Sequence, residues 1–184
     1  MLTMTHTYIA KNTLIFLESK ELDIINKKTF IYGNIKPDNL FQKTPKKHLY
    51  DESIDFIVHQ IEVINELDIE NNKKLISLEL GIVCHFLCDY FCLPHFERWS
   101  DYTGMNKAVA TAKHLNYEKN LHKYIDNTTM EHREISNVME FLEECQKSYK
   151  SAKTPEEDIK YASFVCNSVA LHILDKHKQK LKKT

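Results

Sequence analysis

Glycine occurs at only three positions, Gly33, Gly81 and Gly104, and proline at only four, in a chain of 184 residues. Folds made of many short strands need these residues at nearly every reversal, so a chain this poor in them reads as long helices joined by few turns. The same scarcity excludes a Gly-rich phosphate loop, because three scattered glycines assemble neither a dinucleotide fingerprint nor a P-loop. The length suits one domain, spanning residues 1–184, with a core large enough to need no disulfide staple.

Lysine and arginine number 25 against 26 aspartates and glutamates, a balance that gives no broad electrostatic attraction for nucleic acid or an anionic membrane. The five cysteines are odd in number and contain no C-x-x-C pair, which argues against a disulfide framework and a thiolate zinc site and suits a reducing compartment. The opening MLTMTHTYIAKN has no basic stretch followed by an apolar run, so the expected location is cytoplasmic. The longest apolar stretch, around Gly81 to Phe96, is interrupted by His85, Asp89 and His95, so no membrane span is expected.

Periodicity predicts helices over about Thr5–Leu17, Leu22–Lys27, a segment capped by Asp51 or Ser53, and about Asn72–Phe91, Asn106–Tyr124, Met130–Tyr149 and Thr154–Lys180. Their inward stripes read His6, Ile9, Thr13 and Leu17; Ile54, Ile57, Ile61 and Ile64; Leu78, Ile82, His85, Asp89 and Cys92; Ala110, His114, Tyr117, Glu118 and Leu121; and Ala162, Cys166, Val169 and Ile173. Tyr32 to Lys47, with Gly33, Pro37 and Pro45, reads as a long connection, and a kink is expected at Pro94.

His85-x-x-x-Asp89 and His114-x-x-x-Glu118 each place an imidazole and a carboxylate one turn apart on a buried helix face. A buried carboxylate costs several kcal/mol unless a partner compensates it, and neither helix offers an inward lysine or arginine. A zinc ion would supply the missing charge and accepts both donor types. Either pair alone reads equally as a metal-free hydrogen-bonded contact; His95 after Pro94 and inward His6 shift the balance toward metal. The string contains no H-E-x-x-H, no E-x-x-H and no His-Asp doublet. Cys84, Cys88 and Cys92 read as small core residues packing the metal helix. Trp99 and Tyr102 read as a half-buried aromatic loop, with a border of the cleft mouth as the alternative.

THTYIA, GNIKPD, KKHLYDES, HFLCDYFCLPHF and HLNYE occur in this order between His6 and Glu118. Together they resemble the zinc-dependent phospholipase C superfamily, which also includes single-strand-specific nucleases. The resemblance implies an all-α, single multi-helix domain with a zinc cluster in a cleft between helices. By matching position it implies Asp38, His48, His85 and Asp89 around one zinc and His95, His114 and Glu118 around a second. Asp89 would bridge to a third zinc held also by His6. The loop position after Asp38 selects His48 over nearby His59. Relatives complete the third set with the amine and carbonyl of a processed N-terminal tryptophan; no tryptophan precedes His6 here, so two zinc sites and an incomplete third are expected.

Five neutral histidines and three carboxylates carry −3, so two zinc ions leave +1 and three leave +3, either of which attracts a phosphodiester. The resemblance implies hydrolysis by metal-activated water, with Asp38 as general base or as ligand alone. The expected activity is that of a zinc-dependent phosphodiester hydrolase acting on a phospholipid head group. A single-strand nuclease activity and a zinc-binding module without turnover are the alternatives.

Overall fold

The computed structural model describes residues 1–20, 22, 24–38, 48–99, 106–151 and 153–182. Those residues form eight α-helices and no strand: α1 (Thr3–Ser19), α2 (Lys27–Ile35), α3 (Tyr50–Glu66), α4 (Ile69–Tyr90), α5 (Leu93–Phe96), α6 (Lys107–Leu121), α7 (Val138–Tyr149) and α8 (Pro155–Leu181). The expected all-α architecture is therefore observed. No helix among the described residues is long and apolar enough to cross a membrane.

α4 is the axis of the fold, packed by α1, α2, α3 and α8. It starts at Asp68, whose side chain accepts from the Glu70 amide at 3.1 Å, and its second half is buried on every side, from Val83 to Tyr90. A helix apolar all round belongs at the centre of a bundle, where each large side chain taken from water contributes about 1.5–3 kcal/mol. His85 and Asp89 are carried into that centre, at 0% and 1% exposure.

The second helix differs from expectation. It runs from Lys27 to Ile35, because the Asn26 side chain accepts from the Thr29 amide at 3.0 Å and caps it there. Tyr32 to Ile35, expected in a connection, are thus helical, and Lys36–Asp38 add one 3-10 turn; Pro45 and the remainder of that connection lie outside the described residues. The helix is possible because Gly33 faces Gly81. A Cβ built on Gly33 would lie 2.3 Å from the Leu78 carbonyl oxygen, and one on Gly81 would lie 2.3 Å from that of Phe30. α2 and α4 therefore cross backbone against backbone.

Asp51 and Ser53 do not cap α3; Leu49 occupies that position, and Ser53 donates its hydroxyl back to the Leu49 carbonyl at 2.8 Å from inside the first turn. α4 reaches back to Ile69 through a non-helical Asn72 (φ −120°, ψ 19°). Pro94 ends no continuous helix. The chain leaves α4 at Phe91, extends at Cys92 and restarts as α5 with Pro94 in its first turn.

Nor is residues 130–137 helical. Residues 128–137 form an extended strap whose hydrogen bonds come from side chains: Thr129 N–H donates to Ser163 Oγ and Arg133 N–H to Ser168 Oγ, both at 3.0 Å, while Asn167 and Asn12 donate to the Thr129 carbonyl. The expected inward stripes of α1, α3 and α8 are buried throughout.

Candidate metal centre

The eight residues expected as ligands converge at one end of α4. Asp38 ends the 3-10 turn after α2, His48 precedes α3, His6 lies in the second turn of α1, His95 on α5, and His114 and Glu118 on α6. His59, the alternative to His48, is on the surface at 72% side-chain exposure.

Asp89 divides the cluster with its two oxygens. Oδ2 lies 2.8 Å from His48 Nδ1 and 3.4 Å from His85 Nε2, and His85 Nε2 lies 3.6 Å from Asp38 Oδ1. Oδ1 lies 3.3 Å from His6 Nε2 and 3.8 Å from His95 Nε2. Glu118 Oε1 gathers the remaining side, 3.0 Å from His95 Nε2 and 2.9 Å from His114 Nε2. Three groupings emerge with ligand atoms within 4.8 Å of one another: His6, His85 and Asp89; Asp38, His48 and His85; and Cys92, His95 and Glu118.

Second partners fix the rings. The Asn34 carbonyl oxygen, 2.8 Å from His85 Nδ1, can only accept, so Nδ1 carries the proton and Nε2 is left bare toward Asp38 and Asp89. Asn34 is on α2, so the glycine crossing sets this hydrogen bond. α5 is held from two sides. The Leu93 amide donates to Asp158 Oδ2 at 3.0 Å, and Arg98, in the left-handed region at φ 52°, pairs with Asp51 and Glu52 of α3.

The buried charges are balanced by protons. The Met1 amine, fully buried, contacts Asp89 and lies 3.0 Å from Glu118 Oε1. Burial disfavours its charged form, but the two carboxylates raise its pKa well above the usual range, and Asp89 itself is held well below the ordinary carboxylate range against its own burial. His6 follows the same pattern: burial opposes the proton, and the charge of Asp89 lifts the pKa to about 9. Burial, with His6 alongside, keeps His85 neutral. Asp38 is raised by burial and by the charge of Asp89.

Zinc fits these donors. Both ring nitrogens of His6 are buried without a hydrogen-bond partner, and among the described residues no lysine or arginine pairs with Asp89 or Glu118. Imidazole nitrogens converging on buried carboxylates whose only counter-charges are protons on Met1 and His6 are a donor set that a divalent cation completes in place of those protons. The cluster floors a cleft of about 340 Å³ lined by Met1, Leu2, Thr3, Asp38, Asp89, His95, His114, Leu115 and Glu118.

Two groups in the cluster had no place among the expected ligands. The Met1 amine contacts Asp89 and Glu118; a main-chain amine has no signal in a residue string. Cys92 was read as core packing, although it sits three residues from both Asp89 and His95. Trp99 packs edge-on against Tyr117 with centroids 5.4 Å apart and does not line the cleft, as expected of an ordinary aromatic loop; Tyr102 and Gly104 lie outside the described residues.

The family model for zinc-dependent phospholipase C matches residues 5–171. No curated protein and no solved structure matches the chain.

Proposed function

This chain belongs to the zinc-dependent phospholipase C family, and on that premise we propose that it hydrolyses a phosphodiester, with a phospholipid head group as the favoured substrate, in the cleft floored by Asp89. The observation that carries the reading is the placement of two buried carboxylates, Asp89 and Glu118, among five imidazoles without a lysine or arginine partner in the described residues.

In this reading Asp38, His48, His85 and Asp89 would hold one zinc ion. His95, His114 and Glu118 would hold a second, and Asp89 with His6 would hold a third. Bound zinc supplies a water acidified toward a pKa of about 7 and positive charge beside the phosphoryl oxygens. The protein's own part is to position and to move a proton. Asp38, the most open of the carboxylates at 30% side-chain exposure, faces the cleft and takes the water's proton. His85 is locked in the tautomer that leaves Nε2 to the site.

Leu2 and half-exposed Leu115 give the cleft an apolar side, which suits the glyceride portion of a lipid better than stacked bases, for which a basic groove with aromatic platforms would be needed. The test is zinc content followed by turnover of a chromogenic phosphocholine ester, short-chain phospholipid and single-stranded DNA with zinc restored. Hydrolysis of the choline ester and the lipid is expected. Turnover confined to DNA transfers the substrate to nucleic acid, and full zinc occupancy without turnover on any phosphodiester leaves a zinc-binding module in place of an enzyme.

A further inference from the structure

We propose that Cys92 is a protein ligand to the ion of His95, His114 and Glu118, giving that ion a coordination shell closed by four side chains. The inference rests on the zinc reading of the cluster and adds a thiolate to it.

Cys92 is fully buried, and its Sγ lies within 4.8 Å of ligand atoms of both His95 and Glu118. His114 reaches the same Glu118 oxygen at 2.9 Å. A tetrahedral zinc with bonds of about 2.0–2.3 Å holds neighbouring ligand atoms roughly 3.3–3.7 Å apart, so a small contraction brings Cys92, His95 and Glu118 onto one ion, which His114 reaches beside the same Glu118 oxygen. The backbone fixes the thiol where it is needed. Cys92 is the extended residue between α4 and α5 (φ −113°, ψ 119°); its amide donates to the Asp89 carbonyl at 3.1 Å, and its carbonyl accepts from His95 and Phe96 at 2.9 Å. It is thereby pinned between the helix carrying Asp89 and the helix carrying His95.

The other thiols are differently placed. Cys88 meets Cys166 at 3.6 Å between sulfurs and also faces His6, and Cys166 donates to the Cys84 carbonyl at 3.5 Å, so both are engaged in the α4–α8 contact, while Cys145 is buried on α7. Cys92 has no side-chain hydrogen bond among the described residues, so its sulfur faces the histidine and the carboxylate without a protein partner.

A fourth protein ligand changes the division of labour. A closed four-ligand shell is that of a structural zinc, whereas a catalytic ion keeps an open position. The ion of Cys92 thus supports the fold, and the water-activating role falls to the ions shared by Asp38, His48, His85, Asp89 and His6. The thiolate also takes the protein charge of the cluster from −3 to −4, so that three zinc ions leave +2.

Zinc-edge X-ray absorption on the wild-type holoprotein tests this without mutation: a sulfur shell at about 2.3 Å is expected beside the nitrogen and oxygen shell. Cobalt(II) substitution assigns the sulfur. A near-ultraviolet thiolate-to-cobalt band is expected in the wild type and in Cys84→Ala, Cys88→Ala, Cys145→Ala and Cys166→Ala, and lost in Cys92→Ser while the visible cobalt bands persist. If Cys92→Ser does not fold, retention of the band in the other four variants assigns it by elimination. A metal shell of nitrogen and oxygen only, or visible cobalt bands without charge transfer, overturns the thiolate and leaves the cluster standing. A band that survives in Cys92→Ser overturns it in favour of another cysteine, and failure to bind either metal sinks both readings.

Discussion

Gly81→Ala separates two effects of opposite sign. In an ordinary helix interior the added methyl stabilises by about 1 kcal/mol. At Gly81 the new Cβ would stand 2.3 Å from the Phe30 carbonyl oxygen and 2.8 Å from Gly33 Cα, both backbone atoms that no rotamer change can move. Bringing the carbon–oxygen separation to an ordinary contact forces α2 away from α4 by roughly 1 Å, and overpacking of this kind costs about 1–3 kcal/mol or more. The net expectation is a loss of about 1–2 kcal/mol, read as a lower urea midpoint at unchanged slope in the metal-free protein. The same shift stretches the 2.8 Å hydrogen bond from His85 to the Asn34 carbonyl. Loss of such an orienting partner typically costs 10–100-fold in metal affinity, to be measured by competition with a chromogenic zinc chelator. A variant that is more stable by the helix increment, with zinc affinity unchanged, would refute the claim that the crossing sets the site.

Asp89→Asn removes the carboxylate that faces Met1, His6, His48, His85 and His95; it should lower zinc content by atomic absorption and, by leaving the Met1 ammonium short of its nearest counter-charge, destabilise the metal-free protein by about 3–5 kcal/mol in urea. Chelation should lower the melting temperature of the wild type, since zinc held at 100 times its Kd adds about 2.7 kcal/mol, and an unchanged melt after verified metal removal would contradict coupling of the cluster to the fold. Asp158 is fully buried, and burial raises its pKa to about 6 although Tyr149, Tyr117 and the Leu93 amide all donate to it. The native state then holds the proton that the unfolded state has lost, so this residue's contribution to stability falls by about 3 kcal/mol as pH rises from about 4 to 6. The difference between wild type and Asp158→Asn in metal-free urea titrations should carry that slope, and parallel pH profiles would remove the assignment.

What was legible in the sequence was whatever repeats along a helix. Ile54, Ile57, Ile61 and Ile64 announce their face, and His85 with Asp89 and His114 with Glu118 announce theirs, because a turn of helix is a fixed distance. What was not legible depended on partners distant in sequence. Gly33 reads as loop punctuation until Gly81 is placed against it, which is why the second helix was expected to end at Lys27, where α2 begins. Residues 130–137 of the strap were expected to be helical, as the start of an amphipathic helix; Ser163, Asn167 and Ser168, which bind the strap, lie more than thirty residues away. The resemblance to a known family supplied Asp38, His48 and His95, which no local periodicity connects. The Met1 amine has no side-chain letter, and Cys92 has one that reads first as core.

The strap has a consequence for the order in which the molecule assembles. Its amides at Thr129 and Arg133 are protected by hydroxyls of α8, not by a ladder of its own, so apart from the Asn12 contact to the Thr129 carbonyl this stretch waits until α8 has formed and docked. It therefore closes late on the folding path, and hydrogen exchange at those two amides is a clock for the docking of α8: they should exchange with the opening of the strap from that helix, earlier than the amides in the interior of α4.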